Sequence, residues 1–371
     1  MGNSVVGLDI GSTALRGVEL SGANKAKPNL LRYFEVPLPP GAVSRGEVVD
    51  ANAVAVALKK LWSEGGFKSK KVVLGMGNQR VLVRDLSVPK MSLKRIRESL
   101  PFQVQSMLQI PPADSLLDFY PISESTGENG VMINGLLVAA EKSAILGNIL
   151  AAERAGLTPL EVDLIPFALN RLLLTRSKVK GTVALIDVGG NTTSIIISCD
   201  GVPWFVRIIP TGGEDLTQAL KSGLEIETGQ AEELKRTLRV SIHSAANVDS
   251  GSANTPCTCD RCVADGIKAE DPRASNIVQA VTSELLSSLR NTVNYFNNTR
   301  PQDPVREVLL TGGGAQLSGF AQVLAEMTHL SVTDADPFAT IATGRRVKSK
   351  NLEESRSSIA VALGLALGNL A

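Results

Sequence analysis

Short apolar runs alternate with amphipathic stretches along this chain, in the rhythm of an α/β protein. Residues 4–10 read as a buried strand, followed by a Gly-Ser-Thr turn, a second strand over 14–20 and a third over 30–36. Residues 49–64 have helical spacing, with Val54, Ala57, Leu58 and Leu61 on one face, and 72–76 is a buried-type strand. From residue 81 the character changes. An alternating strand over 81–86 leads through Pro89 to a helix over 92–107 capped by Ser92, then to two strands, 116–122 and 130–140, joined by a polar turn. A helix over 141–155 stops at Gly156, a short strand follows at 160–162, and Pro166 opens another helix over 166–174.

The opening pattern then returns. A strand over 182–187 enters the turn Gly189-Gly190-Asn191, a second strand covers 193–198, Asp200-Gly201 signals a hairpin and a third strand covers 203–210. Asp9 and Asp187 stand at the same place in the two copies, 178 positions apart, a spacing that marks a duplicated domain rather than a solenoid. Helices are expected over 214–224 and 228–238, a polar stretch over 241–273, and a long amphipathic helix over 275–296 with Ile277, Val281, Leu285, Leu289 and Val293 in one stripe. A strand over 305–310 enters Thr311-Gly312-Gly313-Gly314, a helix covers 319–327, a charged loop 345–357, and an apolar helix 359–370.

At 371 residues the chain is long enough for two domains, and at 43% hydrophobic it can build sizeable cores, mostly from aliphatic side chains because aromatics are only 4%. Lysine and arginine number 38 and aspartate and glutamate 37, so no global charge favours nucleic acid or an anionic membrane. The first residues lack a basic leader region, and no apolar run reaches the ~18 to 20 residues needed to span a bilayer, so a cytoplasmic location is expected.

Three glycine turns carry the chemistry. Phosphate recognition needs backbone N–H groups pointing into a concavity that no Cβ obstructs. Gly11-Ser12-Thr13 and Gly189-Gly190-Asn191-Thr192 offer that at the ends of buried strands, with Ser12, Thr13, Thr192 and Thr193 adding hydroxyl donors. Asp9 and Asp187 bring a carboxylate to each turn, a pair suited to a hydrated Mg²⁺ reached through water. The third turn, Gly312-Gly313-Gly314, lets backbone approach a flat ring or a phosphate closely. It lacks the Gly-Lys-Ser/Thr ending of a Walker loop.

In order and spacing these three turns resemble the first phosphate, second phosphate and adenosine motifs of the actin, DnaK and sugar-kinase superfamily. The resemblance implies an α/β, actin-like (ribonuclease H-like) fold of two lobes with duplicated mixed sheets and ATP-Mg²⁺ in the cleft between them. It implies roles beside the ribose and phosphates for Gly212 and Gly213, and beside the adenosine for Glu232 and Lys235, although the last two also fit a solvated helix face. The organisation expected is a lobe-one core over 1–80 and 143–180, an inserted α+β subdomain over 81–142, a second lobe over 181–358 with a polar insertion at about 241–273, and a C-terminal helix over 359–371 packed on lobe one.

The placement of the insert resembles the FtsA/PilM branch. Leu86-Ser87-Val88-Pro89-Lys90-Met91, Gln109-Ile110-Pro111, Asp118-Phe119-Tyr120, Leu137-Val138-Ala139-Ala140, Ala155-Gly156-Leu157 and Pro166-Phe167-Ala168-Leu169 resemble the type IV pilus assembly PilM family. The chain does not show the long linker and amphipathic tail expected of FtsA. The PilM resemblance implies a cytoplasmic adaptor, held at the inner face of the membrane only through its partner. That partner is the N-terminal cytoplasmic peptide of a PilN-like membrane protein, bound between core and insert, and the adaptor ties the pilus platform to its motor ATPases. Leu100, Phe102, Val104 and Met107 are then either groove walls or subdomain core. Two alternatives are an FtsA-like division filament protein and a sugar-kinase-like phosphotransferase.

Superfamily ATPases of the DnaK type place an acid directly before a proline at a helix start below the γ-phosphate. Here Ile165 precedes Pro166, with Asp163 and Asn170 off register, so nucleotide binding with slow or absent hydrolysis and no catalytic residue is expected. Cys257, Cys259 and Cys262 form either an incomplete zinc site, with His243 or an aspartate as fourth ligand, or a surface insertion with incidental thiols.

Overall fold

The computed structural model describes residues 4–108, 110–127, 130–241, 271–344 and 355–368. The chain opens with β1 (Val6–Ile10), β2 (Ala14–Ser21) and β3 (Asn29–Pro37), an antiparallel meander, then a short hairpin of β4 (Val43–Ser44) and β5 (Glu47–Val48). Helix α1 (Ala51–Gly65) follows. Asp50 caps it by accepting from the N–H groups of Asn52 and Ala53, and Gly66 ends it in the left-handed region at φ 65°. Strand β6 (Lys71–Met76) then pairs parallel with β1.

The next segment leaves the sheet. β7 (Val81–Pro89), α2 (Leu93–Gln103), β8 (Ser115–Gly127) and β9 (Gly130–Glu141) make a separate three-stranded sheet in the order β7-β9-β8, with α2 laid across it. Helix α2 stops four residues before the sequence-based limit, and Gln105–Met107 continues as a 3₁₀ turn. Leu100 and Val104 are fully buried among Val88, Ile96, Phe119 and Leu137, so they form the core of this subdomain and are not groove walls; Met107 packs at its margin. Phe102 is 83% exposed.

Helix α3 (Lys142–Arg154), β10 (Thr158–Leu164) and α4 (Ile165–Asn170) return the chain to the first sheet, and α4 runs on as a π-turn over Arg171–Thr175. The second lobe then repeats the plan with β11 (Thr182–Val188), β12 (Thr193–Cys199), β13 (Val202–Ile209), α5 (Gly213–Leu224), α6 (Thr228–Thr237), α7 (Pro272–Thr299), β14 (Glu307–Thr311), α8 (Phe320–Thr328) and β15 (Ser331–Asp334). β16 (Ala342–Thr343) adds to the edge of the first sheet, and α9 (Ala360–Ala366) ends the described chain.

The two large sheets have one topology. Strands β3-β2-β1-β6-β10 correspond in order and direction to β13-β12-β11-β14-β15, antiparallel through the hairpins and parallel beyond. β15, with a single apolar residue between polar ones, was not foreseen. The Asp271-Pro272 cap starts α7 three residues earlier than its apolar stripe suggested.

Strand alternation divides each sheet between two cores. Val6, Leu8 and Ile10 face α1, while Ala184, Ile186 and Val188 face α7 and α8. The opposite faces meet in a shared core, where Val18, Leu20, Val183, Leu185 and Ile196 enclose Leu169, Leu172 and Leu173 together with Ile359, Leu363 and Leu367. The seam between the two sheets is thus filled by α4 and α9. A Cβ on Gly7 would strike the Ala362 carbonyl and the Ala366 backbone, so only glycine lets α9 settle on β1. Gly7→Val should dislodge α9 and lower stability by about 3 kcal/mol, read as an earlier midpoint in urea unfolding.

Candidate functional site

Both Asp-x-Gly turns fold identically. Gly11 N–H donates to the Ala14 carbonyl at 3.1 Å and Gly189 N–H to the Thr192 carbonyl at 2.9 Å. The turns face one another, since a Cβ on Gly190 would collide with Ser12 Oγ. The loop after β13 closes on the second turn: Gly213 N–H donates to Gly189 O at 3.0 Å and Glu214 N–H to Gly190 O at 2.7 Å. A Cβ on Gly212 would lie 2.5 Å from Gly189 O. The third turn arrives from β14. Gly312, at φ 90°, would bring a Cβ 2.5 Å from Asp187 Oδ1, and Gly314 lies against Val188. Gly313 is exposed with open space around it. A narrow cavity lies beside the loop after β13 and the third turn, lined by Val188, Thr211, Gly212, Gly213 and Gly314 and running inward to Leu285 and Phe320 of the lobe-two core.

Ser12, Asn191 and Thr192 are partly accessible at the turns and Thr13 is exposed. Thr193 differs from its sequence reading. It is fully buried, and its hydroxyl donates to the Thr211 carbonyl at 2.7 Å, tying β12 to the loop after β13.

Glu232 and Lys235 do not form a solvated face. Lys235 Nζ lies 2.6 Å from Glu232 Oε2, 2.8 Å from Thr217 Oγ1 and 3.3 Å from the Gly213 carbonyl, so α6 is fastened to the glycine loop that opens α5. Thr217 Oγ1 also lies 2.9 Å from Glu232 Oε2. Burial pushes the Glu232 carboxyl up, but the hydrogen bond and charge of Lys235 outweigh it and hold the group below its usual range.

The two aspartates lie deep among protein atoms, although Asp187 remains partly accessible. Burial raises Asp187 to about 7; the Asp9 charge adds to the rise and Arg16 opposes it. Asp9 is also raised by burial, against the pull of Arg16, whose Nη1 lies 3.4 Å from Asp9 Oδ2. Two desolvated carboxylates, one of them raised further by the charge of the other, suit an added cation.

Arg16 is the site residue that sequence reasoning missed. It stands directly across the hairpin from Asp9, and its guanidinium is held by Glu35 Oε2 and Oε1, both at 3.1 Å. The corresponding position of the second hairpin is Ser194 opposite Asp187, so only the first turn carries a cation. The signal was present as an arginine in the strand after the turn, seven residues after Asp9, where the second copy of the unit has a serine.

The polar residues flanking Ile165 point elsewhere. Asp163 pairs with Arg171 at 2.9 Å, and Asn170 donates to the Gly201 carbonyl and accepts from Ser198. Ile165 itself packs against the end of β6, within 3.1 Å of where a Cβ on Gly75 or Gly77 would sit. The cysteine positions 257, 259 and 262, with His243, lie outside the described residues. Among the described residues no helix is long and apolar enough to cross a membrane, and no cluster of three metal-ligating side chains occurs.

Comparison with known proteins agrees with this architecture. FtsA of Bacillus subtilis is 23% identical over 323 residues, covering 81% of this chain and 72% of FtsA. FtsA of Pseudomonas aeruginosa is 23% identical over 368 residues, covering 91% and 84%. A solved PilM–PilN type IV pilus biogenesis complex superposes with a TM-score of 0.80 at 29% identity, covering 98% of this chain and 97% of that one. MreB5 of Spiroplasma citri, solved with AMPPNP, shares the fold at a TM-score of 0.52 and 12% identity, over 98% and 95% of the two chains. The fold is that of the actin-like ATPases. The family model for type IV pilus assembly protein PilM matches residues 7–248 and 269–370, and the chain belongs to that family.

Proposed function

We propose that this protein is an ATP-binding adaptor of a type IV pilus inner-membrane platform, taking the N-terminal cytoplasmic tail of a PilN-like membrane protein against its inserted subdomain. The observation that carries the nucleotide half is the meeting of three glycine turns, from three separate strand ends, around two buried carboxylates. The amides of Ser12–Thr13 and Gly190–Thr192, in turns closed by the Gly11 and Gly189 N–H bonds, cradle the phosphates, with Arg16 adding positive charge on the first side. Gly212, Gly213, Glu232 and Lys235 line the ribose side, and Gly312–Gly314 takes the adenosine. Asp9 and Asp187 fit a hydrated Mg²⁺, whose charge would offset the burial of both and the push of the Asp9 charge on Asp187. MreB5, of the same fold, was solved with AMPPNP, which supports this reading.

Hydrolysis is slow or absent in this reading, because Ile165 cannot orient a water and its polar neighbours are committed to other partners. Turnover in a phosphate-release assay should stay below about 1 s⁻¹, well under a typical enzyme's rate.

The partner half is supported by the likeness to the PilM–PilN complex and by exposed apolar side chains on the insert. Phe102 is 83% exposed, Leu116 46%, and the Tyr120 ring lies tilted against Phe167 of α4, centroids 5.2 Å apart. A fluorescent peptide from the cytoplasmic tail of a bitopic membrane protein encoded nearby should bind saturably. Phe102→Asp should weaken binding about tenfold or more, by placing a charge where an apolar anchor docks. Absence of peptide binding to the folded wild type would sink the adaptor reading.

A further inference from the structure

We infer that the β4–β5 hairpin is a relay by which occupancy of the nucleotide cleft sets the position of the inserted subdomain, with Arg45 and Arg80 as its positioning residues. The inference rests on the proposed function, since it takes the cleft to hold ATP and the insert to hold the partner peptide. It adds how one site reports to the other.

The hairpin turn is Arg45-Gly46, at φ 50° and 79°. Arginine is rare in the left-handed region, and the mirror-image turn needs it twice in succession. The turn aims Arg45 out of lobe one and across the cleft, where Nη1 donates to the Pro210 carbonyl at 3.4 Å. Pro210 lies just before Thr211, Gly212 and Gly213. That segment receives Thr193 Oγ1, fits glycine-tight against Gly189 and Gly190, and is gripped by Lys235. Arg45 thus reads the entry to the loop that would touch ribose and phosphate.

The other arm of the hairpin reaches the insert. Glu47 Oε1 on β5 lies 3.0 Å from Arg80 Nε. Arg80 Nη1 then contacts Glu141 Oε1 at 3.2 Å and Ser143 Oγ at 3.1 Å. Arg80 directly precedes β7 and Glu141 ends β9, so this arginine clamps both strands where the insert leaves the core; the Glu141 N–H also donates to the Arg80 carbonyl at 3.3 Å. Tight packing allows the hairpin little play. A Cβ on Gly46 would lie 3.1 Å from Asn78 Cβ, and one on Gly147 of α3 would lie 2.9 Å from the Val48 carbonyl. Side-chain contacts and short backbone links therefore connect Gly212 through Pro210, Arg45, Glu47 and Arg80 to the base of the insert.

A second, direct contact offers the competing route. Arg300 of lobe two stacks 4.3 Å over Trp204 and reaches Asp85 on β7 at 3.5 Å. It joins the middle of β7 to lobe two without passing the glycine loops.

Two measurements on the full-length protein test the relay. The first is peptide affinity without nucleotide and with saturating ATP-Mg²⁺; coupling is the ratio of the two. The second, which needs no peptide, is amide hydrogen exchange in β7–β9 and α2 on adding ATP-Mg²⁺. Wild type should show coupling of at least about fivefold, and altered exchange in the insert. Arg45→Ala and Arg80→Ala should bring the ratio to near one and remove the exchange change, while each ligand alone still binds. Arg97→Ala, which breaks an exposed pair with Asp118 wholly inside the insert, should leave both readouts as in wild type. Retained coupling in Arg45→Ala and Arg80→Ala, or its loss in Arg300→Ala alone, would overturn the relay. So would a wild-type insert that fails to respond while the glycine turns become protected. Absence of protection at the glycine turns would instead count against nucleotide binding itself, and absence of peptide binding against the adaptor reading.

Discussion

Asp187→Asn should stabilise the ligand-free protein above pH 7 and at the same time remove most of its affinity for ATP-Mg²⁺. The two effects have one cause. The folded state raises Asp187 from 3.8 to about 7, so the native protein holds a proton there that the unfolded chain has already released. The stabilisation given by the bound proton is complete below the unfolded value. It is lost as pH rises toward about 7, and above that the site carries an unneutralised buried carboxylate beside Asp9. Asparagine keeps the shape and never charges. With the carboxylate's partial exposure taken into account, the gain at pH 8 should be on the order of 2 kcal/mol, measured by urea unfolding at pH 5, 6, 7 and 8. Wild type should lose stability across that series, and the variant should vary much less.

The same proton opposes a cation. Wild-type affinity for ATP-Mg²⁺ should fall about tenfold for each pH unit below 7, because Asp187 must deprotonate before it can face a divalent charge. Asp187→Asn should bind at least tenfold more weakly at pH 8, and its affinity should vary less with pH. Equal binding by variant and wild type at pH 8, with and without Mg²⁺, would remove Asp187 from the metal assignment.

Gly212→Val is the second large effect. Its Cβ would press on the carbonyls of Gly189 and Gly190, and these are backbone atoms of a turn that cannot yield without breaking the Gly189 N–H bond to Thr192. Relief requires the loop to lift, losing the Gly213–Gly189 and Glu214–Gly190 bonds, and the Lys235 contact with Gly213 follows. Nucleotide affinity should drop at least about a hundredfold, roughly 3 kcal/mol, by calorimetric titration. Most of the fold should survive, because the loop lies at the mouth of the cleft and not in either core. Gly313→Ala gives the contrast. Nothing lies within 4 Å of its Cβ position, so its melting temperature should match wild type, and any loss in ATP affinity would report what occupies that open space.

The strand–turn–strand units were legible because their signals are local. An apolar run, a glycine turn and a second run fix a hairpin without help from distant residues, and the repeat of that unit implied the matching sheets. What escaped depends on register. Arg16 resembles any charged residue on a strand until pairing sets it opposite Asp9 and beside Glu35. Thr193 read as an exposed donor until pairing placed it under Thr211. Leu100 and Val104 lie on the face of the α2 segment that meets the β7–β9 sheet, while Phe102 beside them turns outward; composition alone does not say which face is covered. Glu232 and Lys235 sit three apart on a helix, the usual spacing of a solvent pair, and only the approach of α5 converts them into a fastening.

The position of α9 has a consequence for synthesis. A ribosome releases β1 first, yet the face of β1 that carries Gly7 is closed by residues about 350 positions later. Lobe two has most of its own core in residues 184–332, so it can consolidate while lobe one still waits with Leu169, Leu172 and Leu173 uncovered. The half made first is completed last, and a chain cut short before residue 359 would leave that apolar seam open to solvent and to association with other chains.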